Sequence, residues 1–222
     1  KIKHHGHKLR PTSSLKYLGI ILDETLNGKI HLSQLIPKLT RANNMLSKVR
    51  HFVPEDKLIS IYFAIFSSHM TYGCQIWGQN ENNPLFKKIE RLQKRALRII
   101  SFSRFEDHCD PLFKKYKILK LKDYITLQNC LLIHDHTRNL LPDSFKDYFL
   151  PCNDLYNTDT RACAGSIFVP HVSSKTYGRK SIKLTSILEW NHLTQVLNQN
   201  LLKLTRYNLK KTLTNYFLNS YS

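Results

Sequence analysis

The chain has 222 residues, with 34 Lys plus Arg against 16 Asp plus Glu and a formal charge of +18 before its 11 His are counted. Such an excess calls for an anionic partner or a solvation role, and a content of 41% hydrophobic and 11% aromatic residues excludes global disorder. No apolar run approaches the roughly 18 to 20 residues of a membrane span, the longest candidate being Leu58 to Phe66, so no membrane association is expected.

The cysteines, Cys74, Cys109, Cys130, Cys152 and Cys163, are odd in number, widely spaced and never in a C-x-x-C arrangement. This argues against a disulfide scaffold and a zinc ribbon, and the thiols are expected to be reduced and mostly buried. Lys1 begins the chain without an initiator Met or a leader, and a piece of a longer protein is expected. Charge is uneven: residues 1–50 carry 10 cations against 2 anions and 151–222 carry 9 against 3, whereas 101–150 carry 8 against 7. Partner binding should concentrate toward the basic ends.

In chain order, residues 1–14 read as a basic tail or hairpin end. His4, His5 and His7 cluster there, but no Cys or carboxylate is near enough to complete a metal shell. Leu15 to Leu22 is a β-branched and aromatic run that predicts one strand buried on both faces, ended by Asp23 and Asn27-Gly28. Leu32, Leu35, Ile36, Leu39, Ala42, Leu46 and Val49 then form a helical stripe, kinked or shifted in its start by Pro37, with Lys38, Arg41 and Lys48 on the opposite side. Pro54 at a first helical position, followed by Glu55 and Asp56, opens a second helix, whose apolar body predicts a central core element.

Asn83-Pro84 opens a third helix running to about Ile100, with Leu85, Ile89, Leu92, Ala96 and Ile99 as its seam. Its outer face carries Lys87, Lys88, Arg91, Lys94, Arg95 and Arg98, with Glu90 as the only acid. Like charges three and four apart repel by a few tenths of a kcal/mol per pair, so this face suits a polyphosphate, the alternative being a solvated surface. A further helical stretch begins at Asp110-Pro111 and continues to Thr137. Between Phe149 and Arg161 the chain is turn-rich and suggests a boundary. Beyond it a short strand over 166–172, a short helix around Trp190 and a terminal helix from Leu202 to Phe217 are expected, the last with Lys203, Arg206 and Lys210 on one side.

Catalytic chemistry is hard to find. Asp23-Glu24 reads as a turn, and Asp107 and Asp110 suit helix capping rather than a metal pair. With seven glycines and no glycine-rich phosphate loop, nucleotide hydrolysis is not expected. Cys109 beside His108 is a poor nucleophile and base, because adjacent residues seldom orient that way. Cys152, Cys163 and His171 match no compact zinc knuckle. Trp77, Trp190, Tyr72 and Tyr17 lie in apolar segments and read as core before they read as base-stacking residues.

Several stretches together resemble the region after the palm of jockey-like non-LTR retrotransposon reverse transcriptases. They are Leu15-Lys16-Tyr17-Leu18-Gly19-Ile20-Ile21-Leu22-Asp23, Tyr72-Gly73-Cys74-Gln75-Ile76-Trp77-Gly78, and Ile89 to Ile100 with its basic face. The likeness continues through Asn157-Thr158-Asp159-Thr160-Arg161, Tyr177-Gly178-Arg179-Lys180-Ser181-Ile182 and Trp190-Asn191-His192-Leu193.

The resemblance implies the end of a palm with a primer-grip turn at Lys16, Tyr17, Leu18 and Gly19, then a helical thumb and a post-thumb region. A glycine at such a turn lets a nucleic-acid backbone approach closely, unless it is simply a strand glycine. In such enzymes the thumb holds template-primer duplex by its phosphates, which the cations of the two basic faces suit. The family's palm aspartates and their Mg2+ site have no counterpart here, so the chain alone should not polymerise DNA and should carry no cofactor of its own.

The expected architecture is mostly α: a helical thumb-like bundle with a short N-terminal β element and a smaller irregular α/β C-terminal part, divided at 1–28, 29–148 and 149–222. The expected partners are RNA or an RNA/DNA hybrid and the missing palm and fingers, in an intracellular setting, nucleus or cytoplasm. The rival reading is a basic helical protein-interaction module.

Overall fold

Two short antiparallel strand pairs, a parallel pair of long helices and a C-terminal helical layer make up the architecture. The computed structural model describes residues 3–4, 7–8, 12–80, 82–152, 165–172, 178 and 181–221, with backbone alone for 3–4 and 7–8. Strands β1 (Lys3–His4) and β2 (His7–Lys8) pair antiparallel, as do β3 (Ser14–Tyr17) and β4 (Ile20–Asp23). The His4, His5 and His7 cluster lies outside the described side chains.

The run expected to be one strand folds back on itself. Leu18 and Gly19 both have positive φ, 46° and 82°, the geometry of a two-residue hairpin turn whose twist matches that of the flanking strands. Strand β4 is buried through Ile20 and Ile21, whereas β3 leaves Leu15 and Tyr17 exposed. Gly19 therefore answers a turn requirement. Asp23 ends β4, its carboxylate accepting from the Thr25 hydroxyl and the Asn27 N–H at 2.8 and 3.0 Å. Burial pushes this carboxyl upward, and the hydrogen bonds more than offset it, leaving its pKa below the usual value.

Helix α1 (Lys29–Val49) begins before Pro37 and runs through it, so the stripe read from sequence is one helix. Next, α2 (Glu55–Ile61), a π-helical turn at Tyr62–Ser67 and α3 (Ser68–Thr71) follow one another without a break. Pro54 sits one residue outside, as the cap. This rod buries Leu58, Tyr62, Phe66 and Met70 but exposes Phe63 and Ala64. The all-round core helix expected from its composition is thus covered on one side only.

After α4 (Cys74–Trp77), the Asn83 side chain caps α5 (Pro84–Ser101) by accepting the Leu85 N–H at 3.0 Å. Helices α1 and α5 run in the same direction. At one end His31 and Phe86 meet across the Trp77 ring, midway the buried Asn43 amide donates to the Leu92 carbonyl at 2.9 Å, and at the far end the Arg50 guanidinium lies 4.5 Å from the centre of the Phe102 ring.

Helices α6 (Asp110–Lys115) and α7 (Leu121–Thr137) are separated by a short break that the Lys120–Asp110 ion pair spans at 2.9 Å. The C-terminal helices, α8 (Ile182–Leu197) and α9 (Arg206–Asn219), pack against α7. Thr126 and Asn129 of α7 both donate to the Glu189 carboxylate, at 2.8 and 2.7 Å. The Tyr221 hydroxyl donates to Asp123 at 2.6 Å and accepts the Lys120 N–H at 3.0 Å. One apolar core runs from Leu32 to Tyr221. The strand expected over 166–172 is a single antiparallel bridge between Pro151 and Ile167, and the helix around Trp190 is sixteen residues long.

Candidate nucleic-acid interface

Helix α5 separates its chemistry cleanly around its axis. At 100° per residue, the six cations Lys87, Lys88, Arg91, Lys94, Arg95 and Arg98 fall within an arc of about 120°, opposite the buried Phe86, Ile89, Leu92, Gln93, Ala96, Leu97 and Ile100. All but the half-buried Arg98 are exposed. On α1, Lys38, Arg41 and Lys48 are exposed, Arg41 and Lys48 opposite the buried stripe that packs on α5 and Lys38 beside its edge. The two helices thus each present cations away from the core that joins them.

Arg98 differs from its neighbours. Its Nε and Nη2 donate to the Asp107 carbonyl at 3.2 and 2.9 Å, and its guanidinium lies 5.5 Å from the centre of the Phe105 ring. This side chain closes the loop after α5, so removing it would perturb that loop as well as the charge.

At the opposite end, Lys16, Tyr17, Leu18 and Gly19 form the exposed tip of the β3–β4 hairpin. The Tyr72 hydroxyl donates to the Leu18 carbonyl, and its ring lies 3.5 Å from where a Cβ on Gly19 would sit. Behind the tip, Gly73 adopts φ 58° against Ile20, where a Cβ would meet the Ile20 side chain at 2.3 Å. Of the aromatic residues expected in the core, Trp77 and Trp190 are buried, donating to the Tyr72 and Gly165 carbonyls. Tyr17 and Tyr72 are exposed at the hairpin instead.

His31 anchors the hairpin to α1, its Nδ1 accepting the Ile21 N–H at 3.3 Å. Burial, with the Lys38 charge adding, holds this imidazole below its ordinary pKa. Between the folded and unfolded pKa values the unfolded chain binds more protons, so the stability from neutral His31 is whole above about pH 6.5 and is lost as pH falls below it. The urea midpoint of the parent should therefore drop between pH 7.5 and 5.5 by more than that of His31→Asn, whose amide oxygen keeps the acceptor. Equal drops would assign the acid sensitivity to other groups.

The buried Cys109 thiol donates to the Lys94 carbonyl at 3.8 Å, burial pushes its pKa up, and neighbouring His108 is exposed. Cys74 is pushed up by burial to about 12, and Cys130 is raised for the same reason. Among the described residues no three His, Cys, Asp or Glu side chains converge on a metal position. Cys163, the stretch 157–161 and positions 177, 179 and 180 lie outside the described residues, while Cys152 is half-buried. No helix among the described residues is long and apolar enough to cross a membrane.

Sequence reasoning missed two features. Gln93, on the buried side of α5, bonds the start of α7, and its only signal was a polar residue inside an apolar seam. Phe102 and Phe105 stand exposed after α5, outside any periodic segment.

No family model and no solved structure matches the chain. Three curated proteins do. The RNA-directed DNA polymerase from mobile element jockey of Drosophila funebris is 33% identical over 125 residues, 54% of this chain and 13% of that protein. The probable RNA-directed DNA polymerase from transposon X-element of Drosophila melanogaster is 31% identical over 117 residues, 51% of this chain and 13% of that protein. The jockey polymerase of Drosophila melanogaster is 28% identical over 145 residues, 63% of this chain and 15% of its own. The matched stretches thus span about one-seventh of these relatives or less. Over half of its length or more, the chain is similar to RNA-directed DNA polymerases of the mobile element jockey and the transposon X-element.

Proposed function

We propose that the chain is the thumb-side part of such a polymerase and binds template-primer RNA or an RNA/DNA hybrid through its phosphates. The observation that carries this reading is the α5 cation arc, opposite the buried face and spread along a helix about 27 Å long. A face that merely needed solubility would mix signs, because like charges at these spacings oppose helix formation. Phosphates reward the arrangement through counterion release without reading sequence. Lys38, Arg41 and Lys48 of α1 extend the same surface chemistry, and the hairpin tip at Lys16 to Gly19 serves as the primer-grip-like element. The metal-binding carboxylates, their Mg2+ and the bond-forming chemistry belong to the palm and fingers of the parent polymerase, within the cell.

Fluorescence anisotropy of a labelled RNA/DNA hybrid, titrated with the chain at several salt concentrations, tests this directly. The expected result is binding whose logarithm falls linearly with log salt and depends little on base sequence. With six to eight phosphate contacts the loss between 50 and 200 mM salt is about three decades or more. A folded chain that fails to bind at low salt would overturn the reading and favour a protein-interaction module.

A further inference from the structure

The C-terminal ends of α1 and α5, joined where Arg50 lies over Phe102, carry exposed phenylalanines that phosphate binding leaves unexplained. Phe52 is 86% exposed, Phe102 52% and Phe105 86%. Isolated exposed apolar residues are ordinary, but two of these are built into cationic surroundings. The Arg50 guanidinium lies over Phe102 at 4.5 Å and that of Arg98 over Phe105 at 5.5 Å. The His51 ring meets Phe102 edge-on at 5.6 Å, and Arg50 Nε donates to His51 Nε2 at 3.3 Å. Phe102 also occupies the residue after α5 with φ 54°, the left-handed position that glycine ordinarily fills at a helix end. A large aromatic residue there is strained relative to glycine, with about half of its surface in solvent.

We propose that Phe102 and Phe105 form a stacking platform for unpaired bases, so that the chain prefers nucleic acid carrying a single-stranded segment over blunt duplex. The inference rests on the nucleic-acid reading above. Every base offers a π-face, so stacking on phenylalanine tolerates any sequence, and a guanidinium on one side of a ring leaves open surface for a base on the other. Lys48 and Arg50 at the end of α1 and Arg104 between the two rings supply charge for the connecting phosphates. Two carboxylates oppose them in the same loop, those of Glu106 and Asp107, and the latter already accepts the Arg104 N–H at 2.6 Å. The negative ends of both helix dipoles meet here as well, which favours arginines at the tip and disfavours a phosphate directly against the rings.

The test compares a blunt RNA/DNA hybrid with the same hybrid bearing a single-stranded extension of about six nucleotides that contains 2-aminopurine. The full chain should bind the extended probe about tenfold more tightly, with a change in 2-aminopurine fluorescence. Phe102→Gly suits the backbone at that position, and Phe105→Ala alters an exposed residue, so both variants should fold. Together they should abolish the preference and the fluorescence change while leaving blunt-hybrid affinity within about twofold and the salt slope unchanged, since no charge is removed. Phe105→Trp should retain the preference. Equal affinity of the parent chain for the two probes, or a preference that survives both substitutions, would overturn the platform. Blunt-hybrid binding in that case leaves the phosphate reading standing, whereas loss of binding to both probes overturns the two together.

Discussion

Replacing Lys87, Arg91 and Lys94 together by alanine is expected to weaken binding of an RNA/DNA hybrid on the order of 100-fold near 0.1 M salt and to reduce the slope of log affinity against log salt by about 2 to 3. Each phosphate contact contributes about 0.7 to 0.9 to that slope, the lower figure for single strands and the higher for duplex. The three side chains are exposed on one face of α5, and alanine favours the helix, so stability should not fall. Arg98 is left in place because it holds the Asp107 carbonyl and the Phe105 ring. A control triple, Lys114, Lys146 and Lys210 to alanine, removes the same charge from other exposed positions. It should cost less than about fivefold, because these lysines lie off the α5 arc and attraction at a distance is screened at this salt concentration. Equal losses in the two triples would mean that net charge alone draws the nucleic acid and that α5 is no special surface. Thermal melts of both variants separate binding effects from unfolding.

The long helices were readable because each buries a wide stripe against another element, and a 3.6-residue period survives in such a stripe whatever the partner. Helices α1 and α5 and the α5 cation arc came out with ends within a few residues, whereas the stretch expected to be helical from Asp110 to Thr137 is two helices, α6 and α7, with a break at 116–120. The β3–β4 hairpin did not come out, because its turn is Leu18-Gly19 rather than an Asn-Gly or Asp-Gly pair, and because the exposed strand carries apolar Leu15 and Tyr17. Strand periodicity cannot announce a reversal when both faces are apolar. Packing of the C-terminal helices was hidden for another reason. It depends on pairs such as Thr126 with Glu189 and Tyr221 with Asp123, far apart in sequence and linked by no motif. The tip aromatics lie in a non-repeating loop, where exposure and ring contacts are visible only once the chain ends of α1 and α5 are brought together. Arg98 shows the limit within the readable part: its place on the basic face was evident, while its bonds across the loop were not.

Gln93→Ala should cost about 3 kcal/mol of stability, the largest loss expected from a single polar side chain on α5. Gln93 is 1% exposed and works at both ends of its amide. Nε2 donates to the Leu119 carbonyl at 2.9 Å, and Oε1 accepts the Leu121 N–H at 3.0 Å. Leu121 is the first residue of α7, so its N–H belongs to the donors that no helix carbonyl can satisfy. A neighbouring helix therefore supplies the partner for this N–H. Truncation strands one buried donor and one buried acceptor, each costing about 1 to 3 kcal/mol, and opens a cavity as well. With a denaturant slope of about 2 to 3 kcal/mol/M, the urea midpoint should fall by about 1 M or more. Gln93→Leu fills the space without restoring the bonds and should still lose most of this, which isolates the hydrogen-bond contribution. Tyr62→Phe removes only the 3.4 Å contact to the same amide and should cost under about 1 kcal/mol. If Gln93→Leu proved as stable as the parent, the start of α7 would be held by packing of Leu121 and Ile125 alone, and the amide would be dispensable.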